Sequence, residues 1–420
     1  MTPLLSLAAR SAWNRRFALG LVLASITLST LLLLGIERLR QDVRQTFSAA
    51  VSGTDLIVGA RTGPVELLLY AVFRIGSASN NIRYSSLQAL AQHRSVAWLV
   101  PLSLGDSHRS FAVLGTSEGY FQHFRHGQRQ PLRLAEGRAF SGLYEVVLGA
   151  DVARGLGYRL GQRIVLSHGD GGLAANDHAD KPFSVVGVLA ATGTPVDRTL
   201  HISLQAMEAL HADFTGGARL PGQALDARQA AALDLTPRSV TAALVGLKSR
   251  AAVFGVQRDV AAFRDEPLLA ILPGVALDQL WDLVALGERG LQAMCALVGV
   301  VSLASLVAVI AAGLNERRRE LAILRAVGAG PRQVLLLLAA EGALVTLAGV
   351  AGGVLLLAAG LALLGPWVQG QFGIALRLQM PGSAEWTVLC SLLVGGFGAS
   401  LVPGWRAYRL SLADGLSPRL

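Results

Sequence analysis

Polar and apolar positions are spread very unevenly along this chain. Phe17 to Ile36 is twenty residues without a charge, about 30 Å of helix and enough to cross a bilayer. Arg10, Arg15 and Arg16 precede it, as basic residues precede a cleaved signal peptide. A signal h-region is only about 7–15 residues long, however, and no small-x-small cleavage site follows before Glu37. The run therefore reads as a retained anchor. Residues 291–314 form a second uncharged run, 334–364 a third interrupted only by Glu341, and 386–403 a shorter, Gly-rich fourth. Small residues recur four apart in them: Ala304, Ala308 and Ala312, then Gly349 and Gly353, then Gly395 and Ala399. That spacing lets helix backbones approach closely in lipid, where no hydrophobic effect drives helices together.

Between the first two runs the periods change. Ile36, Leu39, Val43, Phe47 and Ala50 continue the first span outward at helical spacing, and Leu277, Leu280, Val284, Gly287 and Leu291 lead into the second. Both patterns predict amphipathic helices with a narrow seam, paired as a stalk. The segment they enclose reads as α+β. Strands are predicted over Val96–Leu102, Phe111–Gly115, Glu145–Gly149, Arg163–Ser167, Phe183–Leu189, Leu200–Ser203 and Val240–Leu247. Helices are predicted over Ser85–His93, Ser203–His211 and Ser249–Phe263, each opened by a serine able to cap. In the last, Val253, Val256, Val260 and Phe263 form a stripe suited to a core. Gly216–Ser239 has no clear period and reads as a surface excursion.

Composition sharpens this picture. Of 420 residues, 52% are hydrophobic and only 15% charged, against about 25% charged in ordinary soluble domains. The net charge of +9 suggests nucleic acid at first sight. Lysine occurs only at Lys181 and Lys248, however, and the arginines gather at the ends of apolar runs, where they orient membrane proteins. Arg10, Arg15 and Arg16 lie before the first span. Arg317, Arg318, Arg319, Arg325 and Arg332 follow the second, and Arg406, Arg409 and Arg419 the fourth; Arg377 alone lies between the third and fourth. The expected protein is a multi-pass α-helical membrane protein with four transmembrane helices and a large α+β extracytoplasmic domain on a helical stalk. Its parts are a cytoplasmic tail (1–16), spans at 17–36, 291–314, 334–364 and 386–403, and an outer domain at 37–288. A cytoplasmic helix (315–333), a short external loop (365–385) and a cytoplasmic tail (404–420) complete it.

Candidate chemistry is sparse. Neither lysine follows a glycine and precedes Ser or Thr as a Walker A motif requires, so no P-loop ATPase is expected. His-Glu-x-x-His and Cys-x-x-Cys are absent, and Cys295 and Cys390 both fall in spans. The loop containing His168, Asp170, Asp177 and His178, followed by His201 and His211, is crowded with groups that suit zinc. A solvated Gly-Asp loop has the same composition for turn reasons alone. Glu341 is a carboxylate within an apolar run; snorkelling or pairing with a loop arginine accounts for it better than proton relay, which lacks a second intramembrane carboxylate. Glu316, Arg317, Arg318, Arg319 and Glu320, followed by Leu321, Ile323, Leu324 and Arg325, give the 315–333 helix charged and apolar sides. Such a helix can dock in a groove of a soluble partner, or its arginines can serve topology and anionic lipid alone.

The segment Asn315–Val334, with its Ile323-Leu324-Arg325-Ala326-Val327-Gly328-Ala329 core, resembles the signature of the FtsX/MacB-like, type VII, ABC transporter permeases. The tail, with Pro403, Arg406 and Ala407, is similar to that family's ending. In the outer domain Gly119-Tyr120-Phe121, Leu134 to Arg138, Val147-Leu148-Gly149, Leu156-Gly157, Leu160-Gly161 and Val185 to Val188 resemble the MacB-type core. The resemblance implies a bacterial inner-membrane permease that is not itself an enzyme. Two copies would each dock a separate ATPase, which binds ATP and magnesium, through the 315–333 helix. Movements of the periplasmic domain would then export or extract a substrate, with a periplasmic adaptor or substrate protein as a further partner. An FtsX-like scaffold that signals to an external partner without cargo is the alternative it implies.

Overall fold

The computed structural model describes residues 16–168, 178–215, 218–219, 225–316, 323, 326–372, 376 and 378–409. These fall into two compact units. One draws on Met1–Asp42, Ala285–Pro366 and Leu376–Leu420, the other on Val43–Val284 and Trp367–Ala375.

The first unit is built from four helices, each long and apolar enough to cross a membrane. They are α1 (Arg16–Ala50), α5 (Pro273–Glu316), α6 (Pro331–Phe372) and α7 (Ser383–Arg409). The expected spans lie inside them, and α6 continues through Gly365-Pro366 to Phe372, within the segment expected as a short loop. Val22, Ile26 and Leu34 of α1 pack with Leu306 and Ile310 of α5, Leu338 and Val350 of α6, and Leu389 and Leu392 of α7. Gly349 and Gly353 are the contact between α6 and α1. A Cβ on Gly353 would stand 2.5 Å from Thr30 Cβ and 2.8 Å from the Thr27 carbonyl oxygen. Across that contact Thr27 Oγ1 donates to the Gly349 carbonyl at 3.1 Å. Ser302 Oγ lies 2.7 Å from both Ser25 Oγ and Ser29 Oγ. Such bonds between membrane helices contribute about 0.6 kcal/mol each on average. Toward one end of the unit Arg38 bridges to Asp42 and Glu385, both at 3.5 Å, and Arg40 to Glu37 at 2.9 Å and Glu288 at 3.9 Å.

The stalk seam is used only in part. Phe47 stacks on Phe73 at 4.1 Å and meets Trp281 at 5.4 Å, and Ala50, Leu277 and Leu280 join the same core. Leu39, Val284 and Leu291, however, are exposed. The charges of Glu37, Arg38 and Asp42 take the buried positions there instead, linked by the ion pairs above.

The second unit is organised on an eleven-stranded sheet. Its strands are β1 (Leu56–Ala60), β2 (Val96–His108), β3 (Phe111–Thr116), β4 (Leu134–Gly137), β5 (Glu145–Leu148) and β6 (Arg163–Ile164), then β7 (Ser167–His168), β8 (Phe183–Leu189), β9 (Thr199–Ser203), β10 (Ala242–Leu247) and β11 (Leu268–Ile271). The order is β11-β1-β10-β2-β3-β9-β5-β8-β4, with β7 pairing β2 and β6 pairing β8. β3–β9 and β5–β8 are parallel and the other neighbours antiparallel. Because successive side chains point to opposite faces, Ile57, Val100, Leu114 and Val147 build one core. Leu56, Val58, Val146 and Val245 face the other way, onto α2 (Tyr84–Ala91), α3 (Leu204–His211) and α4 (Val253–Ala261). Val256 and Val260 of the anticipated stripe are buried there. Three expectations change. Ser85 does not cap α2, which starts at Tyr84 with Arg83 at its N-cap and no side-chain cap bond. Arg163–Ser167 divides into β6 and β7, which pair with different strands. The Gly216–Ser239 excursion includes a helical turn at Ala227–Ala231, stopped at its start by an Asp226/Gln229 capping box.

Candidate functional site

The register of two antiparallel strands creates the site. β2 carries a bulge between Leu104 and Ser107, where Gly105 adopts φ +155°, a backbone conformation that costs glycine little. Bulges re-aim the next side chain, here Asp106. β7 pairs with this end of β2 so that His168 stands directly opposite Asp106. His211, the last residue of α3, completes the group. Ser203 sets the start of that helix, its hydroxyl accepting the Ala206 N–H at 3.0 Å. A wholly buried ion pair, Lys181 Nζ to Asp213 Oδ1 at 2.7 Å, ties down the other end, with Lys181 also donating to the Leu210 carbonyl at 3.3 Å.

Three ligand-type atoms converge. His168 Nδ1 lies 3.0 Å from Asp106 Oδ1 and 3.0 Å from His211 Nε2, and His211 Nε2 lies 3.2 Å from Asp106 Oδ1. The Asp106 side chain is fully buried, whereas those of His168 and His211 are 34% and 28% exposed. His211 Nδ1 donates to the Met207 carbonyl at 3.0 Å, so the lone pair of a neutral His211 ring sits on Nε2 and points into the group. Burial would raise the Asp106 carboxyl, yet hydrogen bonds from His168 and His211 bring it down to about 2. Burial lowers His211 while its bond to Asp106 raises it, and the net direction is upward. Burial lowers His178 to about 4.

Of the residues anticipated in the metal loop, His168 alone among the described ones belongs to this group. The His178 ring packs edge-on against His211 at 5.7 Å, but His178 is not among the residues whose ligand atoms converge within 4.8 Å. His201 donates from Nδ1 to the Val147 carbonyl at 3.3 Å and lies against Tyr120 and Phe121, away from the group. Asp170 and Asp177 lie outside the described residues. So do Arg317, Arg318, Arg319, Glu320, Leu321, Leu324 and Arg325 of the expected docking helix, and the side chain of Glu316 at the end of α5. Glu341 is partly buried on α6.

Asp106 escaped sequence reasoning, although Gly-Asp inside a strand pattern marks a bulge. A Gly-x-Ser-x-Gly motif, expected to be absent, is present as well. Gly115-Thr116-Ser117-Glu118-Gly119 has nucleophile-elbow spacing and sits between β3 and a helical turn at Gly119–His123. An elbow serine needs a base within hydrogen-bond reach, and among the described residues no hydrogen bond reaches Ser117 Oγ from a histidine.

Comparison with known proteins agrees with this architecture. The family model of the MacB-like periplasmic core domain matches residues 17–262, and that of the FtsX-like permease C-terminal region matches 293–412. No curated protein sequence matches significantly. Among solved structures, the periplasmic region of MacB from Actinobacillus actinomycetemcomitans is similar at 13% identity and a TM-score of 0.35, over 56% of this chain and 94% of that one. The extracellular domain of the noncanonic ABC-type transporter YknZ from Gram-positive bacteria is similar at 13% identity and a TM-score of 0.30, over 52% and 99%. With the core-domain match covering more than half of its length, the chain belongs to the FtsX/MacB-like family of ABC transporter permease subunits.

Proposed function

We propose that this chain is the membrane subunit through which a separate ATPase moves an extracytoplasmic domain. The observation that carries the reading is the continuity of α1 and α5. Each runs unbroken from an apolar span into a segment whose side chains belong to the sheet core, Phe47 and Ala50 from α1, Leu277 and Trp281 from α5. A displacement of either helix at its membrane end must be taken up by that core or by a bend, and neither helix contains proline beyond its first residue. The arginine distribution supports cytoplasmic termini, a cytoplasmic 315–333 segment and a periplasmic sheet domain in a bacterial inner membrane. The ATPase docks on Glu316, Arg317, Arg318, Arg319, Glu320, Leu321, Leu324 and Arg325, and the work done outside is export or extraction of a substrate. Two copies pair in the membrane. Gly349 and Gly353 are already taken up within the chain, whereas Ala304, Ala308 and Ala312 are exposed on α5 and offer a close-packing face.

The test is co-purification with candidate ABC ATPase subunits co-expressed with this chain. Wild type should retain the complex, and Arg318→Glu combined with Glu320→Lys should lose it while still inserting in the membrane. Retention of the complex by that variant refutes docking on this helix.

A further inference from the structure

We infer that Asp106, His168 and His211 bind a divalent transition-metal ion, zinc by preference, on the sheet domain. The inference stands apart from the permease reading and rests on three features of the site.

The first is the triangle of Asp106 Oδ1, His168 Nδ1 and His211 Nε2, with edges of 3.0, 3.0 and 3.2 Å. An ion about 2.0–2.1 Å from each atom, the distance zinc prefers with nitrogen and carboxylate oxygen, would sit about 1 Å out of their plane. The edges of a regular zinc tetrahedron are about 3.3 Å, so small side-chain adjustments suffice. Two imidazoles and one carboxylate suit zinc and its neighbours better than magnesium or calcium, which take all-oxygen sites.

The second is an orphaned atom. Asp106 Oδ2 is buried and has no hydrogen-bond partner among the described residues, although unmade bonds to buried carboxylate oxygens are costly. A divalent ion on this carboxylate neutralises it and offers that oxygen a second contact. The third is the outer support of His211. Its Nδ1–H is committed to the Met207 carbonyl, the backbone contact that fixes tautomer and ring orientation in metal-ligating histidines. Lys181 and Asp213, beneath the end of α3, neutralise one another and leave no net charge there to repel a cation.

The group meets solvent through its two histidines. His168 and His211 are partly exposed, and Asp106 borders a cavity of about 570 Å³ lined also by Tyr70, Arg74, Asn81 and Ser110. Three protein ligands leave the fourth position of a zinc tetrahedron to water or to a donor from another molecule. A bound ion would join β2, β7 and α3 at one point.

The experiment uses the full chain, without a histidine tag, purified in detergent and stripped with a chelator. Calorimetric titration with zinc should give one ion per chain. Cobalt in its place should show the visible absorption of a four-coordinate site. Asp106→Asn and His211→Gln should each weaken zinc binding roughly 100-fold or more, judged against the 10–100-fold typical of outer-shell changes. His93→Ala, remote from the site, should leave it unchanged. Equal binding by wild type and both variants, or no uptake by wild type, reduces the group to a hydrogen-bonded cluster and overturns the inference. Should the variants fail to fold, X-ray absorption of the zinc-loaded wild type decides. Two imidazole ligands uphold the site, and their absence overturns it.

Discussion

Lys181→Met tests what holds the His211 end of α3 in place. Lys181 Nζ and Asp213 Oδ1 are 2.7 Å apart with both side chains fully buried. At an effective dielectric near 20 that separation corresponds to about 6 kcal/mol of attraction, most of which offsets the desolvation of two ions. Methionine keeps the volume and removes the charge, leaving the Asp213 carboxylate in a dry site without its ammonium. Breaking a buried pair from one side costs about 3–5 kcal/mol. The loss falls on the segment joining β8, α3 and the Leu225 N–H that Asp213 Oδ2 accepts at 3.4 Å. Hydrogen exchange read by mass spectrometry on the detergent-solubilised chain is the assay, because slow core amides report local opening free energies. At tenfold per 1.4 kcal/mol, amides of residues 204–211 should exchange about 100- to 4,000-fold faster in Lys181→Met. Lys181→Met combined with Asp213→Leu removes both charges and should recover most of the protection, as buried pairs replaced by apolar residues commonly do. Less than tenfold acceleration in the single variant, or no recovery in the double, would show that the Lys181–Asp213 pair does not anchor α3.

Gly353→Leu places a side chain where Thr30 and the α1 backbone already are. It should cost at least about 1–3 kcal/mol and sharply lower the yield of monodisperse protein, while Gly360→Leu, with nothing within 4 Å, should not. The Glu145 carboxylate is held down to about 2, chiefly by its hydrogen bond from Arg138 and also by the Ser141 and Gly142 N–H groups, against an ordinary value of 4.5. Its folded value lies below its unfolded one, so its stabilisation is complete above about pH 4.5 and is lost as pH falls toward 2. The melting-temperature gap between wild type and Glu145→Gln should close over that window; a gap independent of pH would discount the bond. In a background with Cys295 and Cys390 replaced by serine, Phe254→Cys should react with an impermeant maleimide in intact cells, and Arg319→Cys only after permeabilisation. The reverse pattern would invert the proposed orientation.

The spans were legible because charge is so costly in lipid that twenty uncharged residues have few other uses. The α4 stripe and β8, whose buried and half-buried residues alternate, were legible because burial on one face imposes a period. β1 was not, since all five of its residues are buried, and a strand covered on both sides shows no alternation. Leu39 was expected on an apolar seam, yet it is exposed while Arg38 beside it is buried. A helical period reveals which residues share a face but not whether that face meets carbon or a carboxylate such as Glu385. The Asp106, His168 and His211 group was legible only in part. His168 and His211 drew notice by their chemistry, but Asp106 lies 62 positions before His168. It reaches the group only through the pairing of a two-residue strand with the bulged end of β2, which no local pattern encodes.

On the proposed function, α1 carries a nucleotide-driven displacement from the membrane to the sheet domain. Gln45 is exposed on the outer part of that helix. A spin label at Gln45→Cys in the serine-substituted background, with the ATPase bound, reports the separation of the two copies by double electron–electron resonance. Trapping the ATPase with ATP should shift that distance distribution relative to the nucleotide-free complex. Superimposable distributions in the two states would contradict the account.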